Sequence, residues 1–328
     1  MVLKKGLITN LLLLFMVLFS FSCNAPRDNP LDPYSPKSEL AQIEGTVQPL
    51  SAPFSGIPDV TVFWVPGNIV TQTDNSGKFV INNIKPVDGK LIFSKTGYTS
   101  DTLFVKWNNT KIITTSIVNL NKIPTLESYS IYTEVSNSST PSNSVSSQSA
   151  NLIIKVKIND SDNDIDSVYV KNDMINFTGG LELQGKIYQG TFSTSRLNIN
   201  DIEEIVGYNF DVRVIDKSKR VFLIGSNKVA RVIKTGTDAV YPVNNDTISV
   251  PVNLTWNQFN AGYPFTYRVE IYNASPQLVF TQDNIESSKT SLTIDTTAIG
   301  TGDYFWAILV VDKFSDSYKS IPGRFHIK

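Results

Sequence analysis

Beyond about residue 40, apolar and polar residues alternate with a period of two, in short runs closed by Gly, Pro, Asn, Asp or Ser. "VTVFWV" (Val60 to Val65), "NLIIKVKI" (Asn151 to Ile158), "YNFDVRVID" (Tyr208 to Asp216) and "YFWAILVVD" (Tyr304 to Asp312) are examples. Successive side chains of a strand point to opposite faces, so each run predicts a strand with one face buried. No stretch keeps a helical period, and only "NINDIEEIVG" (Asn198 to Gly207) has room for a helical turn. Strands separated by turn signals, with no helices between them, predict an all-β chain of antiparallel sandwiches instead of a parallel sheet.

Two polar breaks divide the pattern. "NLNKIPTLE" (Asn119 to Glu127) and "KTGTDAVYPVNN" (Lys234 to Asn245) carry Pro, Gly and polar residues between strand clusters, as linkers do. The division predicts three tandem β-sandwiches over 41–121, 124–236 and 237–328, each near the usual size of such a domain. The serine-rich "VSNSSTPSNSVSSQSAN" (Val135 to Asn151) reads as a long loop inside the second, because "YSIYTEV" before it is strand-like and would otherwise be orphaned.

The first 40 residues follow another rule. Lys4 and Lys5 precede an apolar run from Leu11 to Phe21, broken only by Ser20 and followed by Ser22 and Cys23, the single cysteine of the chain. A basic start, an apolar middle and small residues before a cleavage point make an export signal over 1–22. The run has fewer uninterrupted apolar residues than the roughly 20 that span a bilayer. Pro26, Pro30, Pro33 and Pro36 then stand among Asn, Asp, Arg and Ser. Such a composition buries no core, so 23–40 reads as an extended tether. At about 3.1 Å per residue in polyproline form it reaches on the order of 50 Å.

The segment around Cys23 resembles a bacterial lipoprotein signal, and "RDNPLDPYSP" resembles the stretch after the lipid-bearing cysteine in lipoproteins of Gram-negative bacteria. The resemblance implies that Cys23 becomes the first mature residue, carries lipid on its sulfur and anchors the chain to a membrane. Asn24, in place of the Asp that marks inner-membrane retention in some bacteria, implies the outer membrane. Ser20 stands where the family usually has Leu, and Ser20 and Ser22 also suit an ordinary signal peptidase, which would leave Cys23 a free thiol.

Further resemblances concern the folded part. "IEGTV", "SGIPDVTVFW", "TQTDNSGKFVINNIKP" and "LIFSKTGYTSDTLFV" resemble, in order, the carboxypeptidase regulatory-like domain, a transthyretin-like sandwich. Asp74, Asn75, Ser76 and Gly77 supply its hairpin turn, and Gly97 the turn before Tyr98. The last region, with Trp256 on an early strand, Tyr267, Val269 and Ile271 facing inward and Tyr304 placed for a tyrosine corner, resembles fibronectin type III. The middle region is immunoglobulin-like in a general way. None of these resemblances implies chemistry.

Composition narrows function. Net charge is -1 with 18% charged residues, so there is no basic field for nucleic acid. The sole histidine, His326 in "GRFHIK", falls outward where Phe325 falls inward, and with Cys23 in the anchor no Ser/His/Asp triad, Cys/His pair or zinc cluster can form. A carboxylate pair of the glycosidase type stays open, though nothing singles one out. Asp160, Asp162, Asp164 and Asp166 in "NDSDNDID" could offer oxygens to Ca²⁺, the one cofactor the sequence suggests. Ile165 and Lys171 stand where an EF-hand has Gly and Glu, so a solvated hairpin loop of turn formers is the simpler reading.

Trp64, Trp107 and Trp306 are candidates for stacking on a sugar. Sandwich domains usually bury tryptophan, which leaves Trp107, at a strand end in "VKWNNT", as the expected ligand contact if there is one. "DKSKR" (Asp216 to Arg220) reads as a charged hairpin tip. The sequence thus predicts a non-enzymatic cell-envelope lipoprotein presenting β-sandwiches for binding or scaffolding. Its alternatives are a carbohydrate-binding accessory protein for polysaccharide capture and a carboxylate-based hydrolase.

Overall fold

The computed structural model describes residues 40–139, 146–295 and 299–328. The signal, Cys23 and all of the tether but Leu40 lie outside the described residues. The chain forms two compact units that divide between Ile123 and Pro124, and the described residues are all-β apart from two helical turns.

The first unit is a sandwich of eight strands: β1 (Ala41–Pro49), β2 (Thr61–Val65), β3 (Ile69–Gln72), β4 (Lys78–Ile84), β5 (Gly89–Ser94), β6 (Asp101–Val105), β7 (Ile112–Thr114) and β8 (Val118–Leu120). One sheet runs β4-β1-β7, with β8 also on β1; the other runs β3-β2-β5-β6. β7 and β8 pair with β1 in parallel, and the other ladders are antiparallel. Alternation sends Ile43, Val47, Phe79 and Ile81 of one sheet and Val62, Trp64, Leu91 and Phe93 of the other into a shared core. Phe79 and Phe93 meet edge to face across it, with centroids 5.6 Å apart. Full burial of each such side chain contributes about 1.5–3 kcal/mol, which is what holds the two sheets together.

The second unit begins with β9 (Thr125–Ser139), β10 (Ser146–Asn159), β11 (Ile165–Asn172), β12 (Phe177–Gln184) and β13 (Ile187–Ser193). A 3-10 turn at Ile202–Ile205, closed by a capping box of Asp201 and Glu204, is the helical turn expected within Asn198 to Gly207. It leads to β14 (Asn209–Asp216) and β15 (Val221–Lys228). Then follow β16 (Ala239–Tyr241), β17 (Asn244–Ile248), β18 (Val252–Trp256), β19 (Phe265–Asn273), β20 (Leu278–Glu286), β21 (Ser291–Ile294), β22 (Gly302–Asp312), β23 (Ser317–Lys319) and β24 (Gly323–Ile327).

A single hydrogen-bonded path runs β15-β14-β11-β12-β13-β10-β9-β23-β22-β19-β20, with β24 joining β22 to β17, and a smaller sheet runs β16-β18-β21. Two hydrophobic clusters form, one from Ile131 to Val229 and one from Ile233 to Ile327. Trp256, Tyr267 and Trp306 fill the second. The phenol of Tyr304 donates to the Gly300 carbonyl at 3.1 Å, the upstream bond of the expected tyrosine corner.

The serine-rich segment differs from its expected form. Ser136 to Ser139 and Ser146 to Ser149 extend the β9–β10 hairpin in unbroken register instead of forming a loop, while 140–145 lies outside the described residues. Val135 is the last buried apolar residue of β9, and beyond it both faces are polar. Cross-strand polar bonds replace burial there: the Ser138 and Ser147 hydroxyls meet at 2.8 Å, and Gln148 Nε2 donates to Asn137 Oδ1 at 3.1 Å.

Candidate functional site

The acidic loop joins β10 to β11. Its first carboxylate, Asp160, accepts the backbone N–H groups of Asp162 (3.2 Å), Asp164 (2.9 Å) and Ile165 (3.2 Å). This is the usual work of an Asp in a turn, satisfying donors that have no strand partner. Asn163 takes the left-handed conformation (φ 52°) and its carbonyl accepts Lys217 Nζ at 2.8 Å. Asp166 pairs with Lys219 at 2.7 Å, while Asp162 and Asp164 are buried. The four side chains therefore divide among different tasks. Among the described residues no group of three or more His, Cys, Asp or Glu is arranged to hold a metal ion.

The aromatic candidates also separate. Trp64 and Trp306 are buried in the two units' cores, as sandwich tryptophans usually are, and Trp306 Nε1 donates to the Pro242 carbonyl at 2.7 Å, so neither ring is open to a sugar. Burial on the core face of a strand explains both. Trp107 is half-buried, packs edge to face with Trp64 at 6.5 Å and donates Nε1 to the Thr110 carbonyl at 2.8 Å. Its backbone N–H is fixed by the Asp88 carboxylate at 2.7 Å.

The most exposed aromatic ring among the described residues is Phe104, on β6, at 77%; Phe54, at 62%, is exposed too. Leu103 and Val105 flank Phe104 in "DTLFV" and turn the other way; all three residues are apolar, so the sequence had no alternation there to say which one faces out. Phe104 belongs to the outer face of the β3-β2-β5-β6 sheet. One cross-strand row there is Val70, Phe63 and Ile92; the next is Val65, Lys90 and Phe104. Val70 is also exposed, at 60%. At the end of this face lies a shallow cavity of about 500 Å³ floored by Val65, Pro66, Gly89 and Phe104, with Lys90, Lys106 and Asp88 at its rim.

A second arrangement missed in the sequence is a buried acidic pair in the second unit. Asp312 ends β22, and its Oδ1 accepts the N–H groups of Phe314 (2.8 Å) and Asp316 (3.0 Å), closing the hairpin to β23. Its Oδ2 lies 3.1 Å from Arg231 Nε. The Arg231 guanidinium lies over the Tyr263 ring at 4.1 Å. Asp316 is wholly buried, and one of its oxygens accepts both the N–H and the hydroxyl of Thr133. Burial pushes its carboxyl up to about 6 against the pull of the Thr133 bonds, and the nearby Asp312 charge adds to the rise. This pair is placed between the two hydrophobic clusters, where β23 pairs in parallel with β9. His326 points outward as expected and meets Asp303 at 2.8 Å.

No protein-family profile matches the chain. No curated protein sequence matches it either. Among solved structures it is similar to the major pilin subunit of Bacillus cereus at 12% identity, with 88% of this chain and 96% of that one covered and a TM-score of 0.25. The fibronectin(III)-like modules of Clostridium thermocellum CbhA align at 11% identity over 62% of this chain and 93% of that one, with a TM-score of 0.28. The FN1-FN3 domains of chicken CNTN1 align at 10% identity over 82% and 90%, with a TM-score of 0.29. At such scores these likenesses assign neither a family nor an activity.

Proposed function

We propose that the chain is a non-enzymatic lipoprotein of the cell envelope, held to the outer membrane through lipid on Cys23 and presenting β-sandwich modules for binding or scaffolding. The observation that carries this reading is the order of segments: an apolar leader ends at Cys23, a proline-rich stretch follows, and the first strand starts at Ala41. Lipid chains contribute about 0.8 kcal/mol per buried methylene, so a multiply acylated cysteine holds a protein that one chain would leave loosely bound. Three modules, 41–121, 124–236 and 237–328, belong to the same reading; two separate clusters within 124–328 support the second boundary. The test is Cys23→Ser in a Gram-negative host, followed by detergent-phase partitioning. The wild type should enter the detergent phase, and the variant should stay aqueous or accumulate uncleaved. Unchanged processing and partitioning of the variant would remove the anchor from the proposal.

Polysaccharide capture is a second reading, favoured by one observation, the exposed ring of Phe104 beside a cavity. Trp107, the ring expected for this task, is instead occupied with its own chain.

A further inference from the structure

We propose that the outer face of the β3-β2-β5-β6 sheet is a binding site for an acidic saccharide, with a sugar ring stacked on Phe104 and its carboxylate between Lys90 and Lys106. This rests on the polysaccharide reading of the first unit and gives it a ligand class and a place. Lys90 is the cross-strand partner of both Val65 and Phe104, and it lines the same cavity as the ring. Lys106, two residues beyond Phe104, reaches the same rim of the cavity. Neither lysine is in an ion pair among the described residues. Asp88 accepts the Trp107 N–H and keeps its negative charge. Two lysines against one carboxylate leave the rim an excess of a single positive charge around an apolar floor.

Saccharides match that arrangement. One face of a pyranose ring is a plane of C–H groups that fits against the negative face of an aromatic ring, and the rim hydroxyls stay wet in a shallow cavity. A uronic acid adds a carboxylate at the ring's edge, where the lysines are. Other occupants fit less well. A second copy, docked by a two-fold axis, would set Lys90 and Lys106 against their own images. A stable protein partner would need on the order of 800 Å² of this surface, more than two rows of a four-stranded sheet offer. An acidic peptide would satisfy the lysines and leave the ring without a flat partner.

The experiment is calorimetric titration of the full chain with oligogalacturonate, oligoalginate and hyaluronan fragments, with a neutral galactan oligomer and a hexaglutamate peptide as comparisons. At least one acidic saccharide should bind about tenfold tighter than the neutral one, and about 0.5 M salt should erase that preference. Phe104→Ala should weaken binding by about tenfold, the scale of one lost aromatic contact. Phe104→Tyr should retain it and serves as the folded control. Lys90→Gln with Lys106→Gln should reduce the acidic ligand to the neutral level. The proposal fails if no acidic saccharide binds, if hexaglutamate binds equally well, or if Phe104→Ala leaves affinity unchanged. Membrane attachment through Cys23 is read separately, by fractionation, so either idea can fall alone.

Discussion

Thr133 donates both its backbone N–H, at 2.7 Å, and its hydroxyl, at 2.9 Å, to one oxygen of Asp316, a residue 183 positions further along the chain. Both residues are fully buried, and the second oxygen of Asp316 has no hydrogen-bond partner among the described residues. The pair joins β9 to the turn before β23, where the path of strands passes from one hydrophobic cluster to the other. A buried carboxylate with one solvated side missing is costly to ionise, so the connection responds to pH.

The folded-state value of about 6 for Asp316 stands above the 3.8 of an exposed Asp. Between these values the folded chain holds a proton that the unfolded chain has released. Stability from this group is therefore full below pH 3.8 and is lost as pH rises to about 6, by up to on the order of 3 kcal/mol. Asp312, Arg231 and Tyr263 face the same site, and Asp316→Asn removes only the titration of Asp316. Urea midpoints measured from pH 4 to 8 should give a wild-type minus Asp316→Asn difference that changes between pH 4 and 6 and is flat above. A flat difference throughout would place the carboxyl in its ordinary range.

Thr133→Val keeps the backbone bond to Asp316 and deletes the hydroxyl one. Loss of a hydrogen bond to a buried carboxylate should cost about 2 kcal/mol at neutral pH. It should also raise the Asp316 carboxyl further, because that hydroxyl favours the ionised form. Thr133→Ser should restore both stability and pH profile. A loss for Ser with none for Val in thermal melts would mean that packing of the methyl group, not the bond, is what matters.

Three turns share one device. Asp74, Asp216 and Asp312 each accept the N–H four residues on with one carboxylate oxygen, and the residue three on takes a left-handed conformation: Gly77 (φ 75°), Lys219 (φ 66°) and Ser315 (φ 74°). Burial separates them. Asp216 is fully buried and Asp312 nearly so, whereas Asp74 is exposed. Asp216→Ala and Asp312→Ala should each cost on the order of 2 kcal/mol, because turn donors lose their acceptor where water cannot replace it. Asp74→Ala should cost the least of the three. The Lys78 N–H, followed by the Ser76 hydroxyl, lowers the Asp74 carboxyl, so its contribution should be present above pH 3.8 and fade as pH falls below it, opposite to Asp316. Chemical denaturation of the three variants at pH 7 and pH 3 checks both the order and the sign.

Strands of both units were legible as short apolar runs closed by turn residues, but the buried face was not always so: "YFWAILVVD" is apolar from Tyr304 to Val311, and Trp306 to Val310 are buried without a break, on both faces of the strand. The turn at Asp74 to Gly77 was legible because it depends on local chemistry, as was the Tyr304 corner, but that turn carries the chain from β3 to β4 in the other sheet and not between paired strands of a hairpin. The strands over Ser136 to Ser139 and Ser146 to Ser149 were not, since polar residues on both faces carry no period and their pairing is decided by the neighbouring strand. The same holds for β23 on β9, a three-residue parallel match between distant segments. Phe104 was not legible either: it stands between two other apolar residues, Leu103 and Val105, and only the pairing of its strand decides which of the three faces out.

Glycine gives the last test, because two positions with the same backbone requirement differ in their surroundings. Gly77 (φ 75°) and Gly97 (φ 81°) both occupy the left-handed region, where an L side chain is strained by about 1–2 kcal/mol. A Cβ on Gly97 would meet nothing within 4 Å, so Gly97→Ala should cost only that strain. A Cβ on Gly77 would fall 2.4 Å from the Val47 carbonyl oxygen and 2.6 Å from the Gly56 Cα. These contacts are backbone, and they lie where Val47 N–H donates to the Gly77 carbonyl at 2.8 Å and Ile57 N–H donates to the Val47 carbonyl at 2.9 Å. The clash cannot be relieved by a side-chain rotation; it must displace β1 from the β4 turn. Gly77→Ala should therefore lower the melting temperature of the first unit by several times the Gly97→Ala decrement, or leave that unit unfolded while the second melts normally. Equal decrements in the two variants would show that the turn yields more easily than its hydrogen bonds imply.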